Sequence, residues 1–310
     1  MIYDKLILLN RTNNGAGIGF FTSSVHPLPA PSEIYSFSSD SIFPGPNLLY
    51  HSYVGGGVSN ATMAVITGGF YYEPYGVYSQ KYEYAGGTLS ITTSLNTSKA
   101  AHRGIGNTTV GIFGGGHHGV WDGTSYDTRN IDKYTYSSGT MVTSGLMSRY
   151  RTKYSGCGNL TTGIWAGGTG YPDTFTSSTE KYAYSGDTIT AGSNLSSLRF
   201  GHTATGNGNF GIIAGGNGTL TATTAADKYT YAGDVRVAGT SLHLGSYLGV
   251  AAGTNTIGLF MSFVDSLGYN IYPLVVDKYI YSNGSVVTSR QLAISPQSGT
   301  AGSNAGNGLT

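Results

Sequence analysis

The residues best suited to chemistry stand in Gly- and Tyr-rich segments between short apolar runs. His117 and His118, with Asp122 after them, form the tightest group of metal-ligand residue types in the chain. Adjacent His side chains in a Gly-rich loop rarely turn toward one ion, and no third His follows nearby. The spacing therefore favours a surface loop and predicts neither a metal site nor a cofactor.

Aromatic residues in segments of the same kind indicate a binding surface. A flat ring can cover the apolar face of a sugar, while neighbouring Asp, Asn and backbone groups bind its hydroxyls. The candidate ligand-binding residues are Tyr71, Tyr72, Tyr75, His117, His118, Trp121, Asp122, Tyr171 and Asp173. The alternative is that these rings cover edges of the fold or contact a neighbouring protein subunit.

Other residues of catalytic type have structural interpretations. His102 and His202 occupy matching positions, at which Tyr154 stands in another part of the chain. Because His and Tyr interchange there, a packing role is favoured over catalysis. Cys157 lies between two glycines without an identifiable base to activate it, so it is interpreted as a small buried thiol.

Neither glycoside cleavage nor nucleotide binding has a complete pattern. The carboxylates in candidate loop segments are Glu73, Asp122, Asp173 and Asp265. Glycoside hydrolysis needs two carboxylates at a defined separation, which sequence spacing does not establish. The Gly run at 114–116 is not followed by a Lys-Ser/Thr pair or a helix pattern, as a phosphate loop would be. The chain is therefore predicted not to be an enzyme.

A short recurring motif defines the elements that must position these residues. Asp-Lys-Tyr-Thr-Tyr stands at 132–136 and 227–231, with variants at 80–84, 180–184, 277–281 and, degraded, 33–37. The leading Tyr falls at 35, 82, 134, 182, 229 and 279, in steps of 47, 52, 48, 47 and 50. A period near fifty is typical of four-stranded propeller blades.

One repeat, residues 196–242, shows the expected order of strands. A strand at 199–206 is followed by an apolar strand at 208–216, the Tyr-x-Tyr strand at 227–231 and a last strand at 235–238. The apolar run ends in a Gly pair, which allows another backbone or a ring to come close. We expect the Tyr rings to lie on the Gly-rich surface of the neighbouring blade. The adjacent acid and Lys should pair between strands or cap a loop.

The repeat predicts an all-β, six-bladed propeller of four-stranded antiparallel blades. In the simplest closure, a C-terminal strand at 298–304 lies innermost in the first blade, beside 17–22. Residues 1–13 are then an N-terminal arm and a candidate attachment segment, and residues 14–310 form a single propeller. In the rival arrangement the arm itself supplies the missing strand. Loops between second and third strands gather on one face, where binding is expected.

Charge and apolar content exclude some classes of partner. Charged residues make up 10% of the chain, with a formal net charge of +1 and no basic run, which argues against nucleic acid. The apolar run at 6–9 is too short to span a bilayer, so membrane insertion is not expected. Cys157 is the only cysteine, which excludes an internal disulfide.

The motifs resemble those of a known repeat family. Arg and His in the first strand, Gly-Ile-x-x-Gly-Gly ending the second and Tyr-x-Tyr in the third resemble kelch repeats over most of the chain. Units reading Lys-Tyr-x-Tyr-Ser-Gly-Asp look like the kelch-like propellers of tailed-bacteriophage structural and fibre-associated proteins. The resemblance implies a virion component, made in the host cytoplasm and placed at the host-facing periphery of the particle.

The combined expectation is a non-enzymatic phage virion structural protein. Its loops would serve host-surface attachment, through a glycan, or contacts in virion assembly. Its partners would be other virion subunits, through residues 1–13, and a host surface glycan. The alternatives are a carbohydrate-active enzyme on a kelch-like propeller and an intracellular protein–protein interaction module.

Overall fold

Short antiparallel strands make up most of the structure, a computed structural model that describes residues 6–11, 18–23, 30–50, 55–69, 76–118, 126–170, 174–218, 222–245, 247, 249–261 and 276–289. Within these residues the strands form four-stranded sheets, numbered here in chain order, and two short ribbons. Sheet 1 contains β1 (Leu6–Arg11), β2 (Ile18–Ser23), β3 (Ala30–Ser36) and β4 (Ser41–Leu48). Sheet 2 contains β5 (Gly56–Ser59), β6 (Met63–Thr67), β7 (Ser79–Glu83) and β8 (Thr88–Thr92).

The two following sheets each carry a ribbon between their second and third strands. Sheet 3 contains β9 (Arg103–Gly106), β10 (Val110–Gly114), β13 (Asn130–Thr135) and β14 (Thr140–Leu146), with the ribbon β11 (His117–His118) and β12 (Tyr126–Asp127). Sheet 4 contains β15 (Ser155–Gly158), β16 (Thr162–Ala166), β19 (Thr179–Ala183) and β20 (Thr188–Gly192), with the ribbon β17 (Thr169–Gly170) and β18 (Thr174–Phe175).

Two further sheets complete the described strands. Sheet 5 contains β21 (Thr203–Gly206), β22 (Phe210–Ala214), β23 (Ala226–Thr230) and β24 (Val235–Gly239). Sheet 6 contains β25 (Val250–Gly253), β26 (Ile257–Met261), β27 (Val276–Ile280) and β28 (Ser285–Ser289).

The first strand of each sheet lies innermost. Contacts run from β1 to β5, β9, β15, β21 and β25 in turn, and β25 contacts β1 again. In every four-stranded sheet the strands follow one another in chain order, as in the blades of a propeller. The predicted all-β propeller of four-stranded antiparallel blades is therefore confirmed.

Five blades, sheets 2 to 6, share the repeat, one fewer than the six predicted. Their strands are four to seven residues long and follow one another in the same order in each sheet. Sheet 1 also has four strands but departs from this pattern. Its β4 has eight residues, includes Pro44 and Pro46, and pairs with β3 through a register shift between Ala30 and Ser32. Proline cannot donate a ladder hydrogen bond, which explains the irregular pairing.

The innermost strand of sheet 1 comes from the N-terminus. The register of β1 against β2 runs from Leu6 opposite Ser23 to Arg11 opposite Ile18. Residues 6–11 therefore lie in the sheet and not in an arm outside it, and the rival arrangement is the one found. The predicted closing strand at 298–304 lies outside the described residues. The apolar β-formers of 6–9 suit a strand better than the Gly- and Ser-rich tail does.

Neighbouring blades come close where a side chain of one innermost strand meets glycines of the next blade. Ile105 of β9 faces Gly163, where an added Cβ would lie 2.3 Å from the Ile105 Cδ1 atom. Val58 and Gly57 of β5 face Gly104 in the same way, because a Cβ added to Gly104 would lie 2.4 Å from Gly57 O. The other side chains at this position that meet glycines are Cys157 and Thr205, opposite Gly211 and Gly258 respectively. These glycines are required because any side chain would overlap the neighbouring blade.

The two tyrosines of each motif have different roles. The first Tyr reaches the preceding blade through its hydroxyl: Tyr134 Oη lies 2.7 Å from Thr92 Oγ1 and Tyr182 Oη lies 2.7 Å from Ser144 Oγ. The second Tyr lies over the glycines of its own sheet, as Tyr184 does over Gly163. The ring of the second Tyr therefore covers its own sheet and not the neighbouring blade as expected, whereas its hydroxyl does reach the preceding blade: Tyr184 Oη donates to Gly106 O at 3.0 Å and Tyr281 Oη to Thr205 Oγ1 at 3.3 Å.

The acid and the Lys of the motif each form ion pairs between strands, one of the two expected outcomes, but their partners lie outside the motif. Lys133 binds Asp187 at 2.8 Å and Lys181 binds Asp234 at 2.8 Å, each linking one blade to the turn between the last two strands of the next. Lys278 of sheet 6 binds Asp40 of sheet 1 at 3.1 Å. The acids are buried and accept from the segment that leads into the first strand. Their cations are Lys99 for Asp132, Arg151 for Glu180 and Arg199 for Asp227.

Replacing Gly104 by alanine should destabilise the propeller. The new Cβ would lie 2.4 Å from a backbone oxygen that cannot move without shifting β5. We expect the free energy of unfolding to fall by about 1–3 kcal/mol, as for other overpacked cores. The matched control is Gly186→Ala, whose nearest atom would lie 3.6 Å away in an exposed turn. Equal denaturant midpoints for the two variants would contradict this packing.

Deleting residues 1–13 should lower the melting temperature markedly or prevent folding. The deletion removes β1, which pairs with β2 and contacts both β5 and β25. Removal of residues 298–310 is the matched truncation and should change melting little, because β1 already occupies the innermost position of sheet 1. The opposite result from the two truncations would restore the C-terminal closure.

Candidate functional site

Connections between second and third strands share one face of the disc with the connections between blades, because successive strands are antiparallel. On this loop face, β11 pairs with β12 through His117 opposite Asp127, and β17 pairs with β18 through Thr169 opposite Phe175. Single bridges join the base of the two ribbons to the segment before the innermost strand, at Ala100–His117 and Thr152–Thr169, and Phe200–Asn217 is the equivalent bridge in sheet 5. These backbone bridges therefore hold the base of the loop face in place.

Of the predicted ligand-binding residues, only the two histidines are described. His117 Nδ1 lies 2.6 Å from Asp127 Oδ1, while His118 Nδ1 lies 2.9 Å from the hydroxyl and the carbonyl oxygen of Ser98. Neighbouring residues of a strand point to opposite faces, so the two rings do not converge. The predicted residues outside the described part of the chain are Tyr71, Tyr72, Tyr75, Trp121, Asp122, Tyr171 and Asp173.

A groove on the loop face, between sheets 3 and 4, gathers side chains suited to binding. Its volume is about 250 Å³, and its lining residues are Arg129, Ser148, Arg149, Tyr150, Gly170, Thr174 and Thr176. We call it the arginine groove. Ser148, Arg149 and Tyr150 belong to the connection between β14 and β15, and Thr174 belongs to β18.

Hydrogen bonds and ring contacts hold the two guanidinium groups in place. Arg129 Nη1 donates to Ser148 O at 3.3 Å, and its Cζ lies 5.5 Å from the centre of the Tyr150 ring. Arg149 Nη1 lies 3.4 Å from Thr176 Oγ1. Tyr150 is 44% exposed, so its ring remains available to a ligand. At Gly170 a Cβ would lie 2.3 Å from Tyr150 O, so only glycine fits beneath this segment.

The arginine groove is suited to an anionic ligand. Neither Arg129 nor Arg149 forms an ion pair with any residue of the described part of the chain. A planar guanidinium binds carboxylate, sulfate and phosphate groups through parallel hydrogen bonds. The exposed ring and the threonine hydroxyls add the surfaces that sugars use.

Sequence reasoning missed Arg149 and Tyr150 because it considered only the connections between second and third strands, and it passed over Arg129 although that residue lies in such a connection. Arg149 stands in the connection between blades, two residues before Arg151, which pairs with buried Glu180. The corresponding segments before Lys99 and Arg199 have no such second cation. This extra Arg beside an aromatic residue is the signal that could have identified the groove.

A second hollow lies on the opposite face, between sheets 5 and 6. Its volume is about 480 Å³, and it is lined by Asn207, Asn209, Phe210, Asn255, Thr256, Ile257, Ile280, Tyr281 and Ser282. Asn207 Oδ1 accepts from the backbone N–H groups of Asn209 and Phe210, so this amide holds the turn between β21 and β22. The side chains that line it are uncharged.

The buried histidines and the tyrosine at the equivalent position connect blades. His202 Nε2 lies 2.9 Å from Ala166 O and His102 Nε2 lies 2.9 Å from Thr67 Oγ1, both atoms of the preceding blade. Tyr154 donates to Gly114 O at the equivalent place. The predicted packing role of His102 and His202 is confirmed. Burial, together with nearby Arg199, lowers the pKa of His202 to about 3.

Cys157 is buried and faces Gly211 of the next blade. Burial raises the pKa of its thiol to about 12, so the thiolate that acts as a nucleophile does not form at neutral pH. The structural interpretation of this thiol is confirmed. Within the described residues, no three His, Cys, Asp or Glu side chains come together as metal ligands.

Comparisons with known proteins inform the fold. No protein-family model matches the chain, and no curated protein matches it. The chain is similar to the solved structure of YjhT, with a TM-score of 0.70, 11% sequence identity and coverage of 94% of this chain and 98% of that one. At this identity the likeness shows the β-propeller fold alone. The described residues contain no helix that is long and apolar enough to cross a membrane.

His202→Tyr should reduce the loss of stability in acid. The unfolded chain binds a proton on this residue below about pH 6.5, whereas the folded protein does so only near pH 3. The free energy of unfolding therefore falls between these values by roughly 1 kcal/mol for each pH unit. Tyrosine has no such proton and stands at the equivalent position as Tyr154.

The measurement is the pH dependence of urea unfolding between pH 7 and pH 4.5, compared among variants. The control is His118→Tyr, which makes the same exchange of side chains at an exposed position. A wild-type slope in His202→Tyr would mean that this histidine is protonated in the folded state.

Proposed function

We propose that this chain is a non-enzymatic, kelch-like propeller of a bacteriophage virion that recognises an acidic glycan on the host surface. The observation that carries the proposal is the arginine groove, in which two guanidinium groups that have no carboxylate partner among the described residues stand beside an exposed tyrosine. Loops on a rigid scaffold are where binding residues concentrate, and the groove lies on the loop face.

The virion assignment is supported by the sequence motifs. Lys-Tyr-x-Tyr-Ser-Gly-Asp at 181–187 resembles the repeats of phage kelch-like propellers, and the Gly pairs with Tyr-x-Tyr resemble kelch repeats. We propose that sheet 1 serves as a sixth blade. The contacts of β1 with β5 and β25 and the Lys278–Asp40 ion pair support this assignment. Other virion subunits remain the proposed partners, although residues 6–11 of the predicted attachment segment belong to β1.

The chemistry of the groove favours an acidic sugar over a neutral one. A carboxylate or sulfate would pair with Arg129 or Arg149, and a sugar ring would stack on Tyr150. An enzyme that hydrolyses glycans would need an acid and a base beside the scissile bond. The described residues that line the groove include neither a carboxylate nor a histidine, so binding without turnover is the better-supported function.

The double substitution Arg129→Gln and Arg149→Gln should weaken binding to acidic polysaccharides by at least about tenfold, because it removes both charge-assisted contacts. Binding is measured on an array of bacterial surface polysaccharides, with carboxyl-reduced counterparts of each as ligand controls. Trp121→Ala with Tyr171→Ala should likewise abolish binding if the predicted aromatic residues take part.

The matched protein control is Lys81→Gln, which removes an exposed cation of sheet 2 whose ion pair with Glu83 contributes little stability. All variants should melt as the wild type does. Undiminished binding by the arginine double variant would refute the groove as the site. Release of sugar products that depends on Asp122 or Asp173 would establish the enzymatic alternative instead.

A further inference from the structure

A buried cation that has no counter-charge among the described residues lies on an innermost strand of the propeller. Arg103 is the first residue of β9, an innermost strand, and is only 2% exposed. Its side chain donates one hydrogen bond, from Nη1 to His102 O at 2.9 Å. Among the described residues it has no carboxylate partner.

Buried acids in the neighbouring blades already form ion pairs with other side chains. The pairs are Asp132 with Lys99, Glu180 with Arg151, Asp227 with Arg199 and Asp277 with His243. Burial lowers the pKa of Arg103 to about 10, so its guanidinium still carries a charge at neutral pH. Removing a charge from water without a compensating partner is costly, and folded proteins rarely leave such a group alone.

Two buried hydroxyl groups occupy the same register in the next two blades. Ser155 is the first residue of β15 and Thr203 is the first residue of β21, as Arg103 is of β9. Within the described residues, Ser155 Oγ and Thr203 Oγ1 have no hydrogen-bond partner, although both are buried. The corresponding residues of sheets 2 and 6 are Gly56 and Val250, so the polar groups lie on one side of the axis.

Contacts connect these three positions. The Arg103 N–H donates to Tyr154 Oη at 3.0 Å, which brings β9 against the residue before Ser155. β9 contacts β15, and β15 contacts β21. The pKa of His202, the residue before Thr203, is lowered mainly by burial and Arg199, and Arg103 contributes as well. The guanidinium is therefore within electrostatic reach of sheet 5.

We propose that the loop-face end of the central channel binds a small carboxylate-like oxyanion between Arg103, Ser155 and Thr203. The guanidinium supplies the counter-charge, and the two hydroxyls donate hydrogen bonds to oxygens that the guanidinium does not reach. A planar carboxylate of the size of formate or acetate matches the guanidinium fork and these donors. The site stands apart from the arginine groove, whose lining residues it does not share.

The test measures melting of the full chain in sodium formate, acetate or nitrate. Sodium gluconate at equal ionic strength is the reference, because its anion is too bulky for a buried site. The small anions should raise the melting temperature of the wild type saturably, since they bind the folded state only. Arg103→Gln should abolish this rise, and Arg149→Gln should leave it intact although it weakens glycan binding.

A second variant keeps the proposal testable if Arg103→Gln does not fold. Ser155→Ala with Thr203→Val removes both hydroxyls, keeps the charge and should weaken the anion effect by about tenfold. A crystal structure with formate should show the anion between these three residues. No saturable rise in the wild type, or the same rise in the Arg103 and Ser155–Thr203 variants, would overturn the proposal.

Discussion

The close approach of neighbouring blades at their innermost strands is the constraint on which the remaining structure depends. One side chain from each of β5, β9, β15 and β21 fills the space that glycines leave in the next blade, as Ile105 does against Gly163. A larger residue on either side would separate the blades. The tyrosine hydroxyls and the Lys–Asp pairs lie farther out and reach their partners only because this inner spacing is small. Their contribution to stability is therefore conditional on the glycines.

The charges divide into those that repeat and those that do not. The repeated ones, such as Lys133 with Asp187 and Arg151 with Glu180, have partners and hold blades together. Arg103, Arg129 and Arg149 interrupt the repeat and lack acidic partners among the described residues. All three belong to the segments of sheets 3 and 4 near the loop face. In a repeat protein the scaffold needs the same residues in every unit, so a buried or grouped charge in one unit calls for another explanation.

Much of the architecture could be predicted from the sequence because the same pattern of residues occurs in several repeats. The Gly pairs, the Tyr-x-Tyr strands and the pairing of the motif acid and Lys were all predicted and observed. The predicted closure by a C-terminal strand was wrong. A weak strand at either end of the chain fits the one open position equally well, and only tertiary contacts decide between β1 and the tail. The prediction of which glycines the second Tyr ring covers was also wrong. Spacing alone does not show whether Tyr184 covers its own sheet or the neighbouring one.

The site was the harder part, and the reason is physical. Sequence shows which residues are charged but not which of them have partners, and pairing is what separates Arg151 from Arg149. The net charge of +1 conveys nothing of this, because it sums paired scaffold charges with unpaired ones. When the ion pairs of the scaffold are excluded, some positive charge in sheets 3 and 4 has no acidic partner among the described residues. This charge lies toward one face. Such a concentration attracts anions to that face even on a nearly neutral protein.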